Sequence, residues 1–167
     1  FGAHYKLDFY NQNEIEKILQ RSARLLKVGT GDGALAKIAA SSRFTPRIAN
    51  RLLKRTRDYA QVKNSPLLTE PLATEALSLL GIDELGLDAT DRKILDVISK
   101  NFNGGPVGLK SIAAAIAEEE ETIEDVYEPY LMQIGFLTRT SRGRMLTDLA
   151  VKHLGLPQNK SGQESLI

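Results

Sequence analysis

Along the 167-residue chain, apolar residues recur at spacings of three and four. Gly, Pro or a capping residue breaks each run before it grows long. A helix turns every 3.6 residues and a strand alternates every two, so this pattern confines the fold to short amphipathic helices. Asn13 with Glu16 reads as a capping pair, and Ile15, Ile18, Leu19, Ser22, Leu25 and Leu26 follow, so 14–28 is expected to be helical. The run GTGDG at 29–33 stops it. Asp32 is then expected to cap a short helix with Leu35, Ile38 and Ala39 inward. Thr45-Pro46 reads as a cap and a first-turn proline, opening a helix that buries Ile48, Ala49, Leu52, Leu53 and Ala60. Thr69 is expected to cap a fourth helix with Leu72, Ala76, Leu77 and Leu80, stopped by Gly81. In this half only HYKLDFY, residues 4–10, alternates like a strand.

Residues 82–89 read as a linker. Helices are then expected over 90–102, with Ile94, Leu95, Ile98 and Phe102 on one face, and over 109–117, with Leu109, Ile112, Ala113 and Ile116 inward. Thr122 is expected to cap a third helix running to Ile134, with Ile123, Val126, Tyr127, Tyr130 and Leu131 inward and a kink at Pro129. Phe136–Arg139 and Met145–Thr147 read as two short strands around the turn Thr140-Ser-Arg-Gly143. A closing helix is expected over 148–154 and a frayed polar end over 157–167. Three helices and a hairpin are the order of a winged-helix domain. The predicted fold is therefore mainly α.

Composition removes several chemistries. There is no Cys, and His4 and His153 are the only histidines, which excludes thiolate sites and zinc fingers. The missing Cys also favours an intracellular, cytoplasmic home over a secreted one. No apolar run approaches the ~20 residues of a membrane span. The chain opens on Phe1 with no signal pattern behind it, and is expected to be a piece of a longer protein.

The formal net charge of +1 hides a split. Residues 1–85 hold 13 Lys and Arg against 9 acids, and residues 86–167 hold 9 against 12. Positive charge concentrates in Arg43, Arg47, Arg51, Lys54, Arg55, Arg57 and Lys63. Negative charge concentrates in the seven acids from Glu118 to Glu128.

No GxxxxGK[ST] loop occurs, no G-x-S-x-G elbow, and no plausible catalytic triad for either histidine. The GTGDG run follows a helix and lacks a Lys, so it is read as a loop. Two arginine groups stand out. Arg47 falls in the first turn of its helix, where a cation opposes the dipole at a cost of roughly 0.3–1 kcal/mol. An anion over the helix start would reverse that sign, because Arg47 and the free N–H groups would act together. Arg51 and Arg55 continue the stripe, for which the pattern alone favours a solvated basic face. The second group is Arg139, Arg142 and Arg144 on one hairpin, able to reach phosphates or a minor groove. The third helix would be the usual groove reader, but Glu124, Asp125 and Glu128 on it repel phosphates. DNA binding through this domain is therefore expected to use the wing, with the acidic helix facing elsewhere.

Three stretches, TPRIANRLLKRTRDYA at 45–60, GGPVGLKSIAAAIAEEEETIEDVYEPYLMQIGFL at 104–137 and RTSRGRM at 139–145, closely resemble the RuvB family of bacterial Holliday-junction branch-migration ATPases. The resemblance implies that residues 1–12 are the end of a large ATPase domain and 13–83 the helical lid of an AAA+ ATPase. It further implies a winged-helix head over 86–160 and a tail over 161–167. It places Arg47 on the sensor-2 arginine that touches nucleotide phosphates, which tips the reading of Arg47 toward function. Tyr10 falls on the hinge aromatic near the nucleotide. Arg139 and Arg144 fall on DNA-contacting arginines, with Arg142 as a helper.

The implied activity is an ATP-driven DNA motor that migrates Holliday junctions in recombination, repair and the SOS response. Its cofactor is ATP, with Mg2+ held by the large domain. Its implied partners are duplex and junction DNA, RuvA, a RuvC-type resolvase and five further copies in a hexamer. The phosphate loop, the metal-holding strand, the RuvA-contacting hairpin and the arginine finger do not occur in these 167 residues, so the chain alone is expected not to hydrolyse ATP. Phe44 stands where the family is expected to carry a small residue.

Two competing readings are an AAA+ replication initiator or loader, and a stand-alone winged-helix transcription regulator. An initiator reading origin sequence should not carry the acids of the third helix. A regulator gives no account of Arg47 at a helix start.

Overall fold

A computed structural model describes residues 10–155 of the chain, which divides into two units on either side of Asp88 and Ala89. The expected strand at 4–10 lies outside the described residues but for Tyr10, as do the frayed end and tail beyond 155.

In the first unit, α1 (Gln12–Leu25) starts at Asn11 and not at Asn13. The Asn11 carboxamide accepts the Glu14 amide at 3.0 Å, and Glu14 accepts the Asn11 amide at 2.9 Å. Asn11 and Glu14 have the same three-residue separation as Asn13 and Glu16, so the spacing alone could not choose between them. Ile15, Leu19 and Ala23 form the buried stripe, while Leu25, expected inward, is 72% exposed in the last turn.

The glycine run is a loop tied to another loop. Leu68 donates to the Gly29 carbonyl at 2.8 Å, and Gly31 donates to that of Leu68 at 2.9 Å. Asp32 does not cap α2 (Ala34–Ala40); the cap position falls one residue later, at Gly33, in a left-handed conformation that glycine adopts without strain. α3 (Pro46–Val62) and α4 (Glu70–Leu79) begin after Thr45 and Thr69 as expected, yet neither threonine hydroxyl caps its helix. Thr45 instead donates to the Arg43 carbonyl at 3.0 Å. Ala49, Leu52, Leu53 and Ala60 of α3 join Ile15, Leu19, Ile38, Ala73 and Leu77 in one core. Leu80, expected inward, is 43% exposed just past the end of α4.

Most of the stretch read as a linker packs on this unit. Ser41 donates to the Asp83 carbonyl at 3.2 Å, Arg43 Nε donates to that of Gly86 at 2.9 Å, and Leu87 is fully buried. Gly86 has φ +78°, and a Cβ there would strike the Ser41 carbonyl. Arg43 and Phe44 are both left-handed, each with φ 52°, where a small residue would be less strained.

The second unit runs α5 (Ala89–Phe102), α6 (Leu109–Ile116), α7 (Glu120–Thr122), a π turn (Ile123–Tyr127), α8 (Glu128–Gln133), β1 (Leu137–Thr140), β2 (Gly143–Leu146) and α9 (Asp148–His153). β1 and β2 are antiparallel, with Leu137 opposite Leu146 and Arg139 opposite Arg144. Val107 adds a further bridge, exchanging backbone hydrogen bonds with Arg144 at 2.9 and 2.8 Å. Ile94, Leu95, Ile98, Ile112, Ile123, Leu131 and Phe136 are buried.

The third helix departs most from expectation. It starts at Glu120 and not after Thr122. It widens into the π turn ahead of Pro129, with the Glu128 amide donating to the Ile123 carbonyl five residues back. Proline has no N–H for the carbonyl four residues before it and its ring crowds that carbonyl, so the turn there opens. The widened turn shifts the helical phase. Val126, expected inward, is 55% exposed, and Glu128 is buried in its stead.

Candidate functional site

The two arginine groups lie in separate units, and each is described within its own. Arg47 occupies the second position of α3, behind Pro46. No acid lies in that first turn and no side chain caps it. Its guanidinium is exposed and makes no ion pair among the described residues. A cation and unfilled backbone N–H groups thus share one helix start, an arrangement that suits a phosphate and is otherwise unfavourable.

Of the basic stretch around it, three members are engaged. Arg43 pairs with Asp88 at 3.1 Å and Arg57 with Asp58 at 2.6 Å. Lys63 lies over the Tyr59 ring, 3.7 Å from Glu75; Tyr59 first, and Glu75 after it, hold the Lys63 ammonium above its ordinary pKa. Arg47, Arg51, Lys54 and Arg55 remain as one exposed stripe without ion pairs among the described residues. Tyr10 is 47% exposed, immediately before the α1 cap.

The wing arginines have three different environments. Arg142 is exposed at the tip and makes no ion pair among the described residues. Thr140 braces the tip, donating to the Gly143 carbonyl at 2.8 Å. Arg139 donates to Glu124 at 2.7 Å. Arg144 is only 8% exposed and donates through Nε and Nη2 to Glu128 Oε2, at 3.1 and 2.8 Å.

The acidic helix therefore does not face elsewhere, as the sequence suggested. Directly opposed like charges destabilise a strand pair, and Arg139 and Arg144 are opposed, so Glu124 and Glu128 neutralise a pair that would otherwise repel. An exposed pair such as Arg139–Glu124 contributes about 0–1 kcal/mol. Breaking a buried pair such as Arg144–Glu128 by removing one partner costs about 3–5 kcal/mol. Sequence reasoning missed both glutamates as partners of the wing. Their spacing of four, matching arginines opposed across a two-residue turn, was the available signal. Among the described residues no group of three or more His, Cys, Asp or Glu could hold a metal ion, and no helix is long and apolar enough to cross a membrane.

A helical unit with an exposed arginine at a helix start, followed by three helices and a hairpin, is a helical domain joined to a domain of winged-helix order. The family models agree: residues 10–83 match the RuvB AAA lid domain and residues 84–155 the RuvB C-terminal winged helix domain. The chain belongs to the RuvB family.

It is 54% identical over 168 residues to the Holliday junction branch migration complex subunit RuvB of Dehalococcoides mccartyi, covering 99% of this chain and 48% of that protein. It is 57% identical over 161 residues to the protein of the same name from Nostoc punctiforme, covering 96% and 44%. The fold matches the Thermotoga maritima RuvB Holliday junction branch migration motor with a TM-score of 0.88 at 46% identity, over 92% of this chain and 51% of that one. The chain thus spans about half the length of the relatives it matches. These matches favour neither the initiator nor the regulator reading.

Proposed function

We propose that this chain supplies the nucleotide-sensing lid and the DNA-contacting head of an ATP-driven motor that migrates Holliday junctions during recombination and repair. Residues 13–83 act as the lid, 86–160 as the head, and 1–12 as the end of the large ATPase domain. Family membership supports the reading, and the observation that carries it is Arg47: an exposed cation in a helix turn with no acid, explained by a phosphate.

Phosphoryl transfer needs positioning and charge neutralisation more than covalent chemistry. Arg47 would clamp the phosphates of ATP from the lid, with Tyr10 beside the nucleotide and Mg2+ held by the large domain. Nucleotide state would then set the lid's position and move the head. On the head, Arg142 and Arg139 reach DNA backbone. Arg144, sealed against Glu128, holds the hairpin in place and contributes its charge to the local field.

The motor works as a cytoplasmic homo-hexamer with RuvA and a RuvC-type resolvase, as an ATPase and helicase of the SOS response. The 167 residues alone, lacking a phosphate loop, turn over no ATP. The test joins them to the large domain of a relative. Arg47→Ala should then lower ATP turnover at least tenfold while junction binding persists. Turnover equal to the parent would remove the role assigned to Arg47.

A further inference from the structure

Beneath the wing, the two glutamates hold their arginines unequally. Glu128 is buried, and its Oε2 takes two donors from Arg144. Its Oε1 accepts no hydrogen bond, with Arg139 Nε 3.9 Å away. Glu124 meets Arg139 in the open: the two side chains are 41% and 54% exposed, and one carboxylate oxygen takes Nη2 at 2.7 Å. The same oxygen lies 3.7 Å from Arg144 Nη2. A guanidinium held this way offers solvent the donor face that a phosphate oxygen would use. An exposed ion pair is also weak enough for another anion to displace it.

We propose that Glu124 is a built-in competitor for DNA phosphate at the wing. Its carboxylate holds Arg139 in the free protein, and a backbone phosphate replaces it when the head engages DNA. The inference rests on the reading of the wing as the DNA contact and adds the residue that tunes its grip. Arg142, at the tip and without an ion pair among the described residues, meets the backbone without such a competitor. Glu128 stays on Arg144 throughout and keeps the hairpin seated, so the exchange needs only a side-chain rotation of Arg139. The head then binds duplex less tightly than Arg139 and Arg142 would allow. Release is correspondingly easy, which suits a grip made and broken on any sequence.

The test is fluorescence anisotropy of the 167-residue chain with random-sequence duplex from about 50 to about 200 mM salt, where phosphate contacts dominate affinity. Glu124→Gln should tighten binding about two- to fivefold, the factor matching the strength of an exposed ion pair. Asp125→Asn, which removes the same charge one residue away without touching the wing, should have a clearly smaller effect. Arg139→Ala should weaken binding and lower the log–log salt slope by about 0.9. Adding Glu124→Gln to Arg139→Ala should then give no more than the small field effect seen with Asp125→Asn.

If Arg139→Ala weakens binding but Glu124→Gln does not tighten it, the competitor is disproved and the wing contact stands. Equal tightening by Glu124→Gln and Asp125→Asn also overturns it, in favour of a general field. If Arg139→Ala changes neither affinity nor slope, Arg139 makes no DNA contact, and both the wing assignment at that residue and the competitor fall.

Discussion

Arg144 shows how far one residue's role depends on its partner. Its charge is buried, and Glu128 is what makes that tolerable. Glu128→Gln should therefore cost about 3–5 kcal/mol in urea denaturation, because it strands a buried guanidinium. The double change Glu128→Leu with Arg144→Met should recover most of that loss, since well-packed apolar side chains can replace a buried ion pair. Gly143 sets a second constraint at this scale. Its φ is +135°, and a Cβ there would run into the Val107 backbone. Gly143→Ala is expected to break the Val107–Arg144 bridge and cost about 1–3 kcal/mol, read as lost protection of the Arg144 amide in hydrogen exchange.

At the scale of elements, helix starts were legible to within three residues, and their capping chemistry less so. Asn11 and Asn13 both satisfy the capping-box spacing, and only the structure shows Asn11 in use. Asn11→Ala should then lose about 1 kcal/mol and Asn13→Ala less than about 0.5 kcal/mol, compared by thermal unfolding. Thr45 and Thr69 mark their helix starts correctly without bonding to them, because a helix start can be set by the proline behind it and by burial further along. The third helix of the head was misread for a different reason. Periodicity assumes 3.6 residues per turn, and the π turn before Pro129 breaks that assumption at the point where Glu128 turns inward. Pro129 was seen in the sequence as a kink; its effect on which face is buried was not.

At the scale of the whole molecule, each unit has its own buried residues, so damage to one core should stay local. Leu53 is fully buried in the first unit. Leu53→Ala should cost about 2–5 kcal/mol there. Hydrogen exchange should accelerate over 12–79 while the amides of α5, α6 and the wing keep their protection. Loss of protection in both units together would mean that they unfold as one. The net charge of +1 belongs to this scale too. It is the residue of an exposed basic stripe on α3 and of an acidic helix that neutralises its own wing.

The sequence by itself determined what depends on neighbours within about one helical turn: the helical class, the order of three helices and a hairpin, and the arginine at the start of α3. Those features follow from periodicity, proline geometry and turn chemistry, which act locally. Only the tertiary structure decided which charges are spent and which are free. Arg43 is spent on the segment before Asp88, Arg144 on a glutamate sixteen residues away, and Arg139 is lent to Glu124. Ion pairs between elements depend on where chain segments meet and on the phase of the helix that carries them. A single widened turn is enough to change that phase, and spacing along the chain does not record it.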